Sequence, residues 1–200
     1  MAAFPKRVLG FTLIELMVTV AVIITLLVLA LPSFFSMRQR AALRGAAEET
    51  ASLWSQARFE AAKRNEMVKF GVFTSGTDYC IGAAITDDAD DEDPCDCFDA
   101  TACDVAKFPS DQGEWRSVTL SGTPTLGNGV GANKAVVVLD PKRSALTESA
   151  DAGGITFNGP PGGSSYSLSL LIDQFGRGVL CEPSATSDKL SDFSTRQCNP

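Results

Sequence analysis

The longest uninterrupted apolar stretch lies near the start of the chain. Residues 11–31, FTLIELMVTVAVIITLLVLAL, contain one charged side chain, Glu15. A helix of this length spans roughly 30 Å, the thickness of the hydrocarbon core of a bilayer. The leader before it, residues 1–10, has Lys6 and Arg7 as its only charges, and positive charge keeps such a segment cytoplasmic. The pattern predicts a membrane-spanning helix over residues 11–31, with the rest of the chain exported.

A second helical pattern follows over residues 32–65. Pro32 should kink the helix without necessarily ending it. Small and apolar side chains then recur at steps of three and four, up to an expected stop at Asn65. The members of this stripe are Leu43, Ala46, Ala47, Thr50, Leu53, Trp54, Ala57 and Ala61. We expect the stripe to pack on a sheet, and Glu60 and Arg64 to pair on the exposed face.

Residues 66–200 carry the alternation and the turn residues of β-structure. A Ser75-Gly76 turn should join the first two strands into a hairpin, and a glycine-proline turn at residues 159–163 should join the fifth to the sixth. The predicted strands cover residues 67–74, 79–85, 114–121, 134–140, 154–158, 166–173 and 178–181. The predicted fold class is α+β, with a long N-terminal helix packed on a C-terminal antiparallel sheet in one domain.

Six cysteines lie beyond the apolar stretch: Cys80, Cys95, Cys97, Cys103, Cys181 and Cys198. An even number in an exported domain predicts disulfides, with fifteen possible pairings. Zinc is the weaker alternative, because the chain has no histidine and Cys95-x-Cys97 lacks the spacing of a zinc knuckle. Spacing favours a pair between Cys181 and Cys198, and a bond from Cys80 into the 95–103 loop. The connectivity stays open at this point.

Acidic residues dominate residues 87–104, DDADDEDPCDCFDATACD. Such a run repels itself, so we expect a solvated loop held by its cysteines. A bound Ca²⁺ ion is the weaker alternative, because the EF-hand pattern is absent. The chain's net charge of −7 disfavours nonspecific binding of nucleic acid. Arg38, Arg40 and Arg44 are expected to contact lipid headgroups or neighbouring subunits.

The sequence lacks the signatures of an enzyme. It has no histidine, which is the commonest general base, no phosphate-binding Gly-Lys-Ser/Thr loop and no Gly-x-Ser-x-Gly elbow. A mobile acidic loop does not supply the desolvation that separates the pKa values of two carboxyl groups. We therefore predict a protein that is not an enzyme, with no cofactor and no metal centre.

The N-terminal residues carry a family resemblance. The segment KRVLGFTLIELMVTVAVIITLLVLALPSF resembles the class III signal and first helix of type IV prepilins and type II secretion pseudopilins. The resemblance implies that a prepilin peptidase cuts after Gly10 and methylates the amine of Phe11. It also implies that Glu15 pairs with the Phe11 amine of a neighbouring subunit when helices leave the membrane for a filament core, and that Pro32 marks the helix kink.

A second resemblance lies near the C-terminus. The order ITFNG, glycine turn, alternating strand and FGRGVLC is similar to the GspH/FimT family of minor pilins and pseudopilins, which implies a pilin-like fold. It also implies an inner-membrane subunit with a periplasmic domain. This subunit would join other minor pilins at the assembly platform and take part in type IV pilus assembly, in the priming or tip complex. The alternative is the H-type pseudopilin of a type II secretion system.

Arg177 raises a further alternative, which is DNA uptake. In some FimT-like minor pilins a C-terminal Gly-Arg-x-Arg motif is linked to DNA binding through arginine contacts to phosphates. Gly176 and Arg177 match this motif, but Val179 stands where the second arginine would be. The purely structural interpretation is that Gly176 and Arg177 form the turn between the last two strands, with Arg177 paired to an acid. The sequence favours this turn over DNA binding.

Overall fold

The computed structural model describes residues 11–76, 78–99, 101–109, 117–127, 134–159, 165–184, 190, 193 and 195–198, without the side chains of residues 29–33 and 134. Helix α1 covers Leu13–Arg64. The strands described after it are β1 (Met67–Ser75), β2 (Asp78–Thr86), β3 (Ala106–Phe108), β4 (Thr119–Leu120), β5 (Lys134–Asp140), β6 (Ala145–Leu146), β7 (Gly153–Asn158), β8 (Ser167–Ile172) and β9 (Gly178–Cys181). A short 3-10 turn, Ser149–Asp151, precedes β7.

The strands form two antiparallel sheets. Sheet A has the order β3-β2-β1-β5-β6, and sheet B has the order β4-β7-β8-β9. The hairpin β1–β2 is in register from Met67 opposite Thr86 to Ser75 opposite Asp78. A second long pairing joins β7 to β8. The predicted α+β class and the predicted hairpin are confirmed.

Helix α1 ends where the sequence indicates. The residue after Arg64 is Asn65, whose φ of 55° lies in the left-handed region that asparagine tolerates at a helix end. Before it, the Glu60 carboxylate accepts hydrogen bonds from Lys63 at 3.0 Å and from Arg64 at 2.8 Å. The predicted stop and the predicted Glu60–Arg64 pair are both confirmed. The helix also continues through position 32, while a kink at Pro32 stays a prediction.

The chain divides into two compact units, Met1–Arg38 and Gln39–Pro200. In the second unit every member of the predicted stripe from Leu43 to Ala61 is buried, with at most 5% of its surface exposed. The Trp54 ring meets the Phe70 ring of β1 edge-on, with centroids 5.0 Å apart. Its Nε1–H donates a hydrogen bond of 3.0 Å to the carbonyl of Gly176, beyond β8. The helix therefore packs on the sheets as predicted.

Strand prediction succeeds for the long strands and for the four-residue β9, and it fails for the other short strands. The three-residue β3 and the two-residue β6 carry no period in the sequence and were not predicted. Of the strand predicted over residues 114–121, only β4 is observed, and residues 114–116 lie outside the described part. The turn predicted at residues 159–163 lies mostly outside it as well, because only residue 159 is described.

No helix within the described residues has the length and apolar character needed to cross a membrane. The span predicted over residues 11–31 therefore stays a prediction.

Candidate functional site

A threonine caps the first turn of α1, and the sequence analysis did not identify this cap. The hydroxyl of Thr12 accepts a hydrogen bond from the backbone N–H of Glu15 at 3.3 Å, and its carbonyl accepts the N–H of Leu16 at 3.2 Å. Thr12 is thus the N-cap and Glu15 the third helical residue, the spacing of a capping box. The Thr-x-x-Glu pattern was the signal in the sequence. Glu15 also lies where the helix dipole favours a negative charge.

The first unit exposes its apolar side chains on all sides. Every residue from 11 to 28 is exposed, including Phe11 at 79% and Leu13 at 78%. A helix that is apolar around its whole circumference needs cover from a lipid phase or from other protein. Phe11 and Glu15, the predicted processing and pairing residues, lie at the start of this surface. Gly10 lies outside the described residues.

The six cysteines form three disulfides, so the predicted disulfide bonding is confirmed. The pairs are Cys80–Cys97, Cys95–Cys103 and Cys181–Cys198. The pairing of the last two cysteines, and of Cys80 into the following loop, agrees with the spacing argument. Within the described residues, no group of histidines, cysteines or acids is arranged to hold a metal ion.

The first two disulfides lie against a pair of facing glycines. Gly71 of β1 is opposite Gly82 of β2. A Cβ added at Gly82 would lie 2.5 Å from Sγ of Cys103 and still closer to Sγ of Cys95. A Cβ at Gly71 would lie 2.6 Å from Cγ2 of Val136 in β5 and 3.1 Å from Cβ of Pro94. Gly82 therefore provides the space in which the acidic segment crosses the sheet, while Gly71 leaves room both for β5 and for Pro94. Glycine inside a strand is the signal that indicates such a close approach.

The acidic segment is also tied down by an ion pair. Lys69 Nζ lies 2.9 Å from Asp91 Oδ2, and each side chain is less than one fifth exposed. Partial burial raises the pKa of the Asp91 carboxyl. Hydrogen bonds from Lys69, from the Thr86 hydroxyl and from the Asp93 N–H lower it by more, so the net pKa lies below its ordinary value of 3.8. The expected solvated loop is thus correct for its many exposed acids, but Asp91 is anchored to the sheet.

Arg40 and Arg44, at the start of the second unit, contact aromatic rings of their own domain. Arg40 Nε donates a hydrogen bond of 3.0 Å to the Tyr166 hydroxyl, and its guanidinium lies 5.0 Å from the ring centroid. The Arg44 guanidinium lies 5.8 Å from the centroid of Phe193. Both guanidinium groups thus have aromatic partners within their own domain. Contact of these arginines with lipid headgroups or neighbouring subunits stays a prediction.

Arg177 lies in the turn between β8 and β9 and pairs with an acid. Its Nε donates a 2.7 Å hydrogen bond to Oδ2 of Asp173, and its backbone N–H donates a 2.8 Å bond to Oδ1. Partial burial raises the pKa of the Asp173 carboxyl. These bonds and the hydrogen bond from the N–H of Phe175 lower the pKa by more, so the net pKa lies below its ordinary value. Gly176 has a φ of 73°, as a tight turn requires. The turn interpretation is confirmed, and DNA binding through Arg177 stays a prediction.

Two family descriptions match the chain. "Type II transport protein GspH" matches residues 46–176, and "Prokaryotic N-terminal methylation motif" matches residues 5–31. No curated protein and no solved structure matches it. The first match covers most of the helix of the second unit and the strands up to β8. The second covers the apolar stretch and the end of the leader. Because the GspH match alone extends over more than half of the sequence, the chain belongs to the GspH/FimT family and is a minor pilin or pseudopilin that takes part in the assembly of a pilus or a type II secretion system.

Proposed function

We propose that the chain is a minor pilin-like subunit that takes part in type IV pilus assembly, in the priming or tip complex. Residues 11–31 hold it in the inner membrane before assembly, with the second unit in the periplasm, and afterwards lie in the filament. The observation that carries this proposal is the fully exposed apolar surface of residues 11–28, which lies within the match to the methylation motif at residues 5–31. Lipid tails and a bundle of like helices are both apolar surroundings, so the segment can move from one to the other at little cost.

Processing by a prepilin peptidase fits the start of α1. Cleavage after Gly10 would leave Phe11 and Thr12 ahead of Leu13, the first helical residue. The helix and its Thr12 cap would therefore survive intact. The same peptidase would methylate the new amine of Phe11. N-methylation keeps the positive charge of that amine, which lies within one helical turn of Glu15 in sequence.

Glu15 is proposed to set the register between subunits. A carboxylate inside an apolar environment costs several kcal/mol unless a partner is present. The Phe11 amine of a neighbouring subunit supplies a cation at a matching depth, since both groups lie at the same end of equivalent helices. Pro32 is proposed to give the helix the kink that its neighbours in the filament require.

The second candidate is the H-type pseudopilin of a type II secretion system, and the match to the family of type II transport protein GspH favours it. Both machines use the same processing and the same kind of helix. Deleting the gene distinguishes them. A pilus subunit predicts loss of surface pili with normal protein secretion, and a pseudopilin predicts retention of secreted enzymes in the periplasm with normal pili.

The processing step is tested by the intact mass and N-terminal sequence of the mature protein. We expect a chain that begins at methylated Phe11. A chain that still begins at Met1, or one that begins after residue 31, would contradict the proposal.

The assembly step is tested with Glu15→Ala. We expect normal cleavage but reduced incorporation into sheared filaments, because the apolar segment would lose the charge pair that sets its register. Glu48→Ala is the matched control, since Glu48 is an exposed acid of α1 in the second unit. Equal amounts of both variants in the filaments would argue against the proposed role of Glu15.

A further inference from the structure

Sheet A has an outer face, which we define as the face opposite the one that contacts α1. Phe70 of β1 meets Trp54 of α1, so its neighbours Lys69 and Gly71 point to the other side. In the register of the sheet, this outer face is formed by Lys69, Gly71 and Phe73 of β1, by Cys80, Gly82 and Ala84 of β2, and by Val136 and Val138 of β5.

The outer face is apolar and is nevertheless buried. Cys80 is 2% exposed, Ala84 4%, Val136 7% and Val138 2%. Helix α1 lies on the opposite side. The outer face is covered by residues 88–104, which we call the strap. At Val136 and Val138 of β5, Glu148 and Asp151 from the segment with the short 3-10 turn line the same cavity as the strap. All of the strap except residue 100 belongs to the described part of the chain.

The contacts of the strap follow the outer face from one strand to the next. Ala89, Asp90 and Glu92 line a cavity of about 170 Å³ together with Val136 and Val138 of β5. Further along, the ring of Phe98 meets the ring of Phe73 edge-on, with centroids 6.0 Å apart. Between these two contacts, Pro94 lies over Gly71. The strap is therefore the second layer that an apolar sheet face requires, in place of a helix.

Electrostatics oppose this arrangement. The strap contains eight acidic residues and no lysine or arginine. Within the described residues, the strap forms an ion pair with the sheet between Asp91 and Lys69. A segment of this charge repels itself and is expected to stay in solvent unless covalent bonds hold it. Its cover of the outer face thus depends on the bonds Cys80–Cys97 and Cys95–Cys103.

We propose that the strap is a redox-controlled cover of sheet A. Closing it requires four thiols to be oxidised to two disulfides. Each new sulfur–sulfur bond releases two protons and transfers two electrons to an external disulfide, which is reduced to two thiols. Opening is the reverse exchange with a dithiol reductant. The reduced strap leaves the outer face, so that Phe73, Val136 and Val138 become accessible.

The strap would close at a defined time if the chain is exported as proposed above. Thiols stay reduced in the cytoplasm and are oxidised outside it. The outer face would then remain uncovered until the domain has crossed the membrane. Only the oxidised subunit would present a charged surface in place of an apolar patch, and apolar patches of this kind promote association with other proteins.

The test uses the full-length chain in detergent, with Cys181→Ser/Cys198→Ser as a background in which the strap holds the remaining disulfides. Samples with and without dithiothreitol are treated with an amine-reactive acetylating reagent, and labelling is read by mass spectrometry. Lys69 is 18% exposed and lies beneath the strap, whereas Lys142 is exposed and serves as the internal control. Hydrogen exchange of strap peptides and of β7–β8 peptides is recorded in parallel, also for the wild-type chain.

We expect reduction to raise the labelling rate of Lys69 on the order of tenfold and to speed exchange in the strap, because opening is local. Labelling of Lys142 should not change, and exchange in β7–β8 should rise by much less than exchange in the strap, because loss of the disulfides lowers global stability but opens only the strap locally. Unchanged protection of Lys69 and of the strap after full reduction would overturn the proposal. An equal rise of exchange in the strap and throughout β7–β8 would also overturn it, because the strap would then open only when the whole domain unfolds.

Discussion

The most direct test of the packing beneath the strap is the substitution Gly82→Ala. The added methyl group would stand 2.5 Å from Sγ of Cys103 and closer still to Sγ of Cys95. Carbon and sulfur atoms that are not bonded to each other require a much larger separation, so either the strand moves or the disulfide fails to close. Gly159→Ala is the matched control, since its added Cβ meets its nearest neighbour at an ordinary distance of 3.5 Å.

The size of the effect follows from the structure. Cys95 and Cys103 are 8 residues apart, and a loop of that length gives a disulfide about 2.5 kcal/mol of chain-entropy stabilisation. Overpacking a buried site costs about 1–3 kcal/mol when the backbone yields instead. We therefore expect Gly82→Ala to lower the free energy of unfolding by about 1–3 kcal/mol. For a domain of this size, that is a decrease in Tm of roughly 2–12 °C.

Two measurements on the full-length chain test the predicted effect of Gly82→Ala. Thermal unfolding gives the loss of stability, and thiol titration in denaturant shows whether the strap disulfides have formed. We expect Gly82→Ala to show either free thiols or a lower Tm with all cysteines oxidised, and Gly159→Ala to show neither. A fully oxidised Gly82→Ala protein with the wild-type Tm would refute the close approach of the strap to β2.

Three further predictions concern the helix, the ion pair and the β8–β9 turn. Trp54→Phe leaves the buried carbonyl of Gly176 without its N–H donor and should cost about 1–3 kcal/mol in urea unfolding, whereas Phe59→Leu on the exposed face should have little effect. Because the pKa of Asp91 is lowered in the folded state, its ionised carboxylate stabilises the fold at pH values above the unfolded-state pKa. This stabilisation is lost as the pH falls, so Asp91→Asn should flatten the decline in the free energy of unfolding between about pH 5 and pH 3. In gel-shift assays at low salt we expect no binding of double-stranded DNA, because the guanidinium of Arg177 already pairs with an acid; a shift that Arg177→Ala abolishes would contradict this.

Local periodicity was enough to predict the helix and the long strands. The stripe from Leu43 to Ala61 repeats at helical steps, and each of its positions packs as that period requires. The hairpin β1–β2 was predictable because Ser75-Gly76 interrupts two runs of β-branched and aromatic residues. Short strands could not be predicted in the same way. Strand β3 has three residues and exists because its neighbour β2 offers a free edge.

The strap could not be predicted from its own composition, because its charge indicates a loop in solvent. The signal lay in the strands beneath it. Strand β5 reads KAVVVLD, a continuous apolar run that indicates burial on both faces, whereas a strand with one solvated face would alternate. Gly71 and Gly82 face each other inside strands, which indicates that another part of the chain passes close by. Sequence reasoning used neither signal, and the cover of sheet A was missed for that reason.

The apolar surfaces of the chain are covered in two independent ways, so substitutions that affect one cover should not affect the other. The second unit covers sheet A from within, by α1 on one face and by the strap on the other. Residues 11–28 are exposed throughout, so their cover must come from outside the chain. A substitution in the strap should therefore change oxidation and stability while leaving N-terminal processing intact. A substitution at Glu15 should change incorporation into filaments without changing the thiol count or the Tm of the domain. A Glu15 variant with a destabilised domain would show that the two functions are coupled.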